Sequence, residues 1–309
     1  MTSAVLDRAT SVRWPWVRLA LLVNLISEVA IVVTGGLVRV TGSGLGCPTW
    51  PECVPGSFTP VVEQAEGYHK YIEFGNRTLT FVLGVAAIAV LVAVYSVYRR
   101  VTLGGALPLL LVIAQAVLGG ITVRMNLSPQ IVAAHLLLSM VTIAVSAWLW
   151  LRITPERVAG LASGDGLALP GTTRPLTSAI AVMSAVVLVL GTVVTGSGPH
   201  SGDADQPARF GFDPKLVSMI HSSSVWIFVG LTVALLVTLH RASAKGRVYR
   251  RAHWLFGLAV LQGGVGYLQY ALGLPWPIVV VHMLLAGLFV VAVTALVEAV
   301  ATESSHAQP

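Results

Sequence analysis

Charge is what this 309-residue chain has least of: thirteen acids and nineteen bases make up 10% of it, against 55% hydrophobic residues. A soluble domain carries about 25% charged residues, so a water-soluble globule is excluded. Cysteine is almost missing as well. With two cysteines in the chain and no tight Cys/His cluster inside its apolar stretches, a zinc centre lacks its usual four ligands. The formal net charge of +6 does not point to nucleic acid, because the bases sit in short segments between apolar blocks, where membrane topology accounts for them. No small-x-small cleavage site closes the first apolar block, about Val17 to Val38, so it reads as a retained span rather than a signal peptide.

What is present is a series of apolar windows, at roughly 17–38, 77–98, 106–124, 131–152, 176–197, 217–239, 253–272 and 278–298. Each is close to the ~20 residues that cross a bilayer as a helix. The expectation is an all-α polytopic membrane protein with eight transmembrane helices. On that map thirteen bases fall on the side of both termini and six on the other, namely Arg39, Lys70, Arg77, Arg124, Arg209 and Lys215. The positive-inside rule therefore places both termini in the cytoplasm of a multi-pass cell-membrane protein.

The chain also repeats itself. An offset of 147 carries Gln115 to Gln262, Gly119 to Gly266, Ile131 to Ile278 and His135 to His282, and Val32–Gly35 recurs as Val193–Gly196 at an offset of 161. Two parallel four-helix bundles are the simplest account. The expected organisation is an N-terminal half over 1–159, with an outer loop at 41–71, and a Gly/Ser/Thr/Pro-rich cytoplasmic linker over 160–175. A C-terminal half over 176–298 and a cytoplasmic tail over 299–309 complete it.

Three histidines fall within the apolar windows: His135, His221 and His282, each about four residues into a span that starts on the outer side. An ionisable residue within a span is costly and marks a functional candidate. Three at one depth, two of them repeat-related, favour shared ligation over isolated packing roles. Haem needs one or two axial imidazoles and an apolar pocket with small residues at its faces. Intramembrane glycines such as Gly119, Gly120, Gly263, Gly264 and Gly266 fit such a wall, although helix packing alone explains them equally well. His221 and His282 form a candidate bis-His haem site in the second half. In the first half, aligning Ile72–Arg77 with Val217–Ser222 puts Asn76 opposite His221, so His135 has no matching imidazole across the pocket. Glu73 lies on the same helical face as Asn76, where it either relays protons and stabilises developing charge or simply pairs with Arg77. His69 is two turns before Asn76 and serves as a substitute ligand only if the helix entry is irregular.

Cys47 and Cys53 share one outer-side loop, Gly-Leu-Gly-Cys-Pro-Thr-Trp-Pro-Glu-Cys. An oxidising exterior favours a disulfide, with a structural staple, a redox pair and, less readily, metal binding all left open by spacing alone.

With these pieces in hand, the chain resembles heme A synthase over about residues 17–298. The likeness is carried by Thr41–Cys53, Ile72-Glu-Phe-Gly-Asn-Arg77, Ala-Ala-His135-Leu-Leu, Ile220-His221 and Val281-His282. The resemblance implies oxidation of the C8 methyl of heme O to a formyl group, giving heme A for cytochrome oxidase. It implies a cofactor haem b on His221 and His282, and a heme O pocket holding His135 and Glu73, with Asn76 and Arg77 beside it. It also implies a Cys47–Cys53 disulfide near the haem entrance. The family's helix-2 motif often reads Glu-x-x-His-Arg, whereas this chain has Asn76 in place of the histidine. Expected partners are heme O, membrane lipid and an electron donor, with heme O synthase, cytochrome oxidase assembly and self-association as further candidates. A bis-His cytochrome b for electron transfer and a non-catalytic haem carrier are the competing classes.

Overall fold

The computed structural model describes residues 13–159, 165, 167–203 and 205–306; Arg8, much of the 160–175 linker and the end of the tail lie outside the described residues. Eight long helices account for most of these residues: α1 (Trp14–Val40), α2 (His69–Tyr98), α3 (Leu103–Arg124), α4 (Pro129–Arg152), α5 (Thr173–Ser197), α6 (Pro214–Arg241), α7 (Arg247–Ala271) and α8 (Trp276–His306). A single helical turn, Pro155–Val158, follows α4. Among the described residues β-structure is limited to the isolated bridges Ser43–Asp203 and Val54–Ser57.

Local chemistry sets several helix starts. Pro129 and Pro214 open α4 and α6, where a missing N–H costs nothing and φ is already helical. The Asp213 side chain caps α6 by accepting from the Lys215 N–H, and the Thr102 hydroxyl caps α3 by accepting from Gly105 N–H.

Seven of the eight long helices are long and apolar enough to cross a membrane, which makes the chain a polytopic membrane protein; α7 is the one that does not qualify. The physical reason is in its sequence: Arg247, Arg250 and Arg251 crowd its first turns, and Gln262 and Gln269 follow. The windows and the helices also differ at their ends. α2 begins eight residues before its apolar window, taking in His69, Lys70 and Glu73, and α8 runs on to His306.

α1 packs on α2, α2 on α3, α3 on α4, and α4 back on α1; α5 through α8 pack in the same cyclic order. The two groups meet where α8 lies against α1 and α4, and α4 against α5. Gly36 leaves room for α8, since a Cβ there would run into the Met283 side chain. One apolar cluster fills the space among α5–α8, around Phe228, Leu235, Leu255, Leu296 and Ile180. Another, with Leu25, Val29, Ile143 and Val290, lies between the groups. At the end of α4 that faces the linker, Arg157 pairs with Glu298 at 2.7 Å, and Arg247 with Glu303 at 3.3 Å, tying the linker side of the chain to α8.

Candidate functional site

Each of the three intramembrane histidines meets a glycine of a neighbouring helix. A Cβ on Gly119 of α3 would lie 3.4 Å from Cε1 of His135, one on Gly191 of α5 3.4 Å from Cε1 of His221, and one on Gly266 of α7 3.2 Å from Cε1 of His282. The pattern is one imidazole against one bare stretch of helix backbone, three times. Two of these pairs, Gly119 with His135 and Gly266 with His282, are related by the 147-residue offset. Gly191 escaped sequence reasoning because its region repeats at a different offset.

The backbones carrying the histidines are held alike. Gln115 Nε2 donates to the His135 carbonyl at 3.3 Å, and Gln262 Nε2 donates to the His282 carbonyl at 3.1 Å. Gln115 also donates to Ser139 Oγ at 2.7 Å. Nδ1 of His135, His221 and His282 is buried and has no hydrogen-bond partner. A buried unsatisfied ring nitrogen needs an explanation, and a neutral imidazole against a small-residue wall can act as an axial ligand to haem iron.

The two halves differ. His282 lies within electrostatic reach of His221, and for His135 the alignment of the two halves puts Asn76 where the other half has His221. The structure gives Asn76 a different partner: Thr34 Oγ1 of α1 donates to its Oδ1 at 2.8 Å. His69 is turned to the outer loop, with Nδ1 2.8 Å from Ser43 Oγ.

Glu73 and Arg77 anchor that loop. Oε1 of Glu73 accepts from Arg77 Nε at 2.9 Å and Nη2 at 2.5 Å, and its Oε2 accepts from the Cys47 N–H at 2.7 Å. Arg77 continues to the carbonyls of Thr49 at 2.9 Å, Cys47 at 2.6 Å and Glu52 at 3.3 Å. The loop itself is closed by the Cys47–Cys53 disulfide, with Cα atoms 4.4 Å apart, and both cysteines are fully buried. Lys70, also buried, donates to the Val61 and Val62 carbonyls at 2.6 and 2.8 Å. Sequence reasoning did not single out Lys70, whose partners lie in an irregular loop.

Trp50 carries the loop onto the first-half histidine site. Its indole lies against Gly120, so closely that a Cβ there would overlap the ring, and Gly120 is the neighbour of the glycine that faces His135. Arg124 holds the tryptophan from the side, donating to its carbonyl at 3.0 Å and lying 5.7 Å from the ring centroid. A second outer segment joins this cover: Gly44 N–H donates to the Gly202 carbonyl at 2.8 Å, and Arg39 Nη2 reaches from α1 to the Thr195 carbonyl of α5 at 2.9 Å.

Fold and site together define a polytopic membrane protein with glycine-backed histidines in its apolar helices and a disulfide-closed loop between α1 and α2. The profile of the cytochrome oxidase assembly protein family (COX15-CtaA) matches residues 18–294, and the chain belongs to that family. It is 31% identical over 150 residues to the heme A synthase of Geobacillus kaustophilus, a match covering 47% of this chain and 46% of that protein. It is 28% identical over 218 residues to the heme A synthase of Lysinibacillus sphaericus, covering 67% and 66%. With the heme A synthase of Sinorhizobium fredii it shares 25% over 324 residues, covering 88% of this chain and 85% of the relative. The chain thus spans about half the length of the first of these relatives and most of the length of the last.

Proposed function

We propose that this chain is a heme A synthase, oxidising the C8 methyl of heme O to a formyl group through successive hydroxylations and loss of water. One observation carries the reading: three buried imidazoles, each against a glycine and each with an unpartnered ring nitrogen, with His221 and His282 within reach of one another. A pure electron-transfer protein calls for matched pairs in both halves. Here the fourth position is Asn76, a poor iron ligand held by Thr34.

In this reading all eight long helices, α7 included, span the cell membrane as two pseudo-repeated four-helix halves, 1–159 and 176–298, joined by the 160–175 linker. The cyclic packing within α1–α4 and within α5–α8 supports that division. The excess of bases on the terminal side supports cytoplasmic termini. His221 and His282 would hold a haem b, and His135 would hold heme O. A bound haem supplies the redox chemistry.

The chain supplies position and dryness. His135 fixes the porphyrin through one ring nitrogen, and Gly119 lets it approach the α3 backbone. Trp50, seated on Gly120, and the disulfide loop keep bulk water from the pocket mouth. Glu73 acts at that mouth as the catalytic carboxylate, taking up or releasing a proton while Arg77 fixes its orientation.

The test is direct. Purified protein incubated with heme O, a reductant and oxygen should yield formyl-porphyrin, detected by the pyridine haemochrome spectrum and by mass. Unchanged heme O with electrons demonstrably entering the protein would reassign it as a cytochrome b; unchanged heme O without electron entry would leave a haem carrier.

A further inference from the structure

Of the bases that the sequence places on the outer side, all but one have partners or open surroundings. Lys70 and Arg77 bind carbonyls of the outer loop, and Arg124 binds that of Trp50; Arg209 and Lys215 are exposed. The remaining one is Arg39, in the last turn of α1. Its Nη2 donates to the Thr195 carbonyl of α5 at 2.9 Å, but its Nε is buried without a hydrogen-bond partner.

No ion pair among the described residues includes Arg39. Asp203 is the acid beside it in the fold, since a Cβ on the adjacent Gly202 would lie 3.9 Å from Arg39 Cα. That carboxylate is turned to its own loop, where Oδ1 accepts from the N–H groups of Asp205 and Gln206 at 2.9 and 3.3 Å. A guanidinium keeps its charge and offers five N–H donors, so burying one of them unpaired at the edge of an apolar bundle is costly. The partner it calls for is an anion.

Two contacts fix where that anion would lie. Thr195 is one turn after Gly191, about 6 Å by helix rise, and Gly191 is the glycine that faces His221. On α1, Gly36 comes three residues before Arg39, about 4.5 Å by helix rise, and it meets Met283, the neighbour of His282. Arg39 therefore stands about one turn beyond levels tied to both histidines of the second half. It is turned away from the face of α1 that meets α2. Thr34, whose hydroxyl donates to Asn76, is five residues earlier, a rotation of about 140° at 3.6 residues per turn.

A haem held by two imidazoles brings two propionate carboxylates with it, and these need cations or water at the rim of the bundle. Arginine meets a carboxylate with two parallel N–H bonds. Nε and an amino group of the guanidinium make such a fork, and Nε is the atom left open here.

We propose that Arg39 is the carboxylate anchor of the haem on His221 and His282, a side chain of the first half that holds a propionate of the second-half haem. The inference rests on the haem b assignment within the heme A synthase reading and not on turnover. It gives α1 a share in the second-half site and ties the seating of that haem to the contact between the halves.

The test uses full-length protein produced without haem and kept in detergent, with His135→Ala so that the second-half site alone is read. It is titrated with iron protoporphyrin and with the dimethyl ester of the same porphyrin, whose propionates carry no charge, and the low-spin absorption reports occupancy. The free acid should bind roughly tenfold or more tightly than the ester, the scale of one charged hydrogen-bonded pair. Arg39→Gln keeps an N–H for the Thr195 carbonyl and should bring the two affinities together, whereas Arg39→Lys should keep part of the preference. If Arg39→Gln does not fold, the reduced preference in Arg39→Lys decides. Equal affinities with Arg39 present, or a preference unchanged in Arg39→Gln, overturn the anchor. A preference seen only when His135 is intact assigns the contact to the first-half porphyrin and overturns it likewise. Absence of a low-spin signal with either porphyrin removes the haem b assignment and the anchor with it. Low-spin haem without oxidation of heme O removes only the enzymatic reading, and the preference for the free acid still decides the role of Arg39.

Discussion

The backbone N–H of Cys47 donates to Oε2 of Glu73 at 2.7 Å, so the residue that opens the disulfide loop is bound to the second turn of α2. Through this bond the carboxylate has a structural task separate from any chemistry. Glu73→Ala leaves the Cys47 N–H and the Arg77 Nε without their acceptor, and a buried unsatisfied donor costs about 1–3 kcal/mol. Glu73→Gln keeps an oxygen for Cys47 but cannot exchange a proton as a carboxylate does. The expected result is lower thermal stability and faster proteolysis of the loop in Glu73→Ala, a smaller loss in Glu73→Gln, whose amide nitrogen faces the Arg77 donors, and loss of formyl product in both. Full turnover by Glu73→Gln would reduce the residue to a loop anchor.

The seat of Trp50 gives a sharper steric test. A Cβ on Gly120 would overlap the indole, whereas at Gly84 of α2 a Cβ meets nothing within 4 Å. Gly120→Ala must therefore lift the loop from α3, while Gly84→Ala should be silent. The readout is Trp50 emission and quenching in a background where other tryptophans are replaced. Unaltered quenching in Gly120→Ala would mean that the indole does not cover that helix in the membrane.

How far the sequence discloses these arrangements depends on the range of the forces involved. Apolar windows locate the long helices because burial in lipid is a property of each segment alone, and the intramembrane histidines stand out because burial of ionisable groups is costly. The start of α2 is another matter: His69 and Lys70 precede the apolar window, and their side chains bind Ser43, Val61 and Val62 of the loop between α1 and α2. Pairing of Glu73 with Arg77 follows from a four-residue spacing, but Arg77 reaching carbonyls 25 to 30 residues away does not. Gly191 was hidden for the same reason, since only the packing of α5 on α6 brings it to His221.

The buried disulfide predicts a labelling pattern. Cys47 and Cys53 are both fully buried, so an impermeant thiol reagent added to intact cells should fail before reduction and succeed after it. Labelling confined to inside-out vesicles would invert the proposed topology. Replacing both cysteines by serine should leave the helices intact, while the loop loses its closure and proteases gain access between Thr49 and Ser57.

The interacting pair in the second half predicts a spectrum. With haem bound, His221→Ala and His282→Ala should each abolish a six-coordinate low-spin signal, and Gly266→Val should weaken it. A Cβ alone on Gly266 already comes within 3.2 Å of the His282 ring, so a branched side chain displaces the imidazole. Persistence of the low-spin signal in both histidine variants would remove the haem b assignment.

Asn76 offers the converse experiment. Aligning the halves gives it the position of His221, and its amide accepts from Thr34 at 2.8 Å; on the proposed reading Asn76→His supplies a second imidazole at the open face. In a His221→Ala/His282→Ala background, where only the first-half haem contributes a histidine-ligated spectrum, the Asn76→His variant should turn that haem from five-coordinate to six-coordinate and low-spin. Turnover of heme O by the single Asn76→His variant should fall, because the face needed for oxygen chemistry is closed. A spectrum untouched by Asn76→His would show that residue 76 does not face the iron, and the asymmetry between the halves would then need another cause.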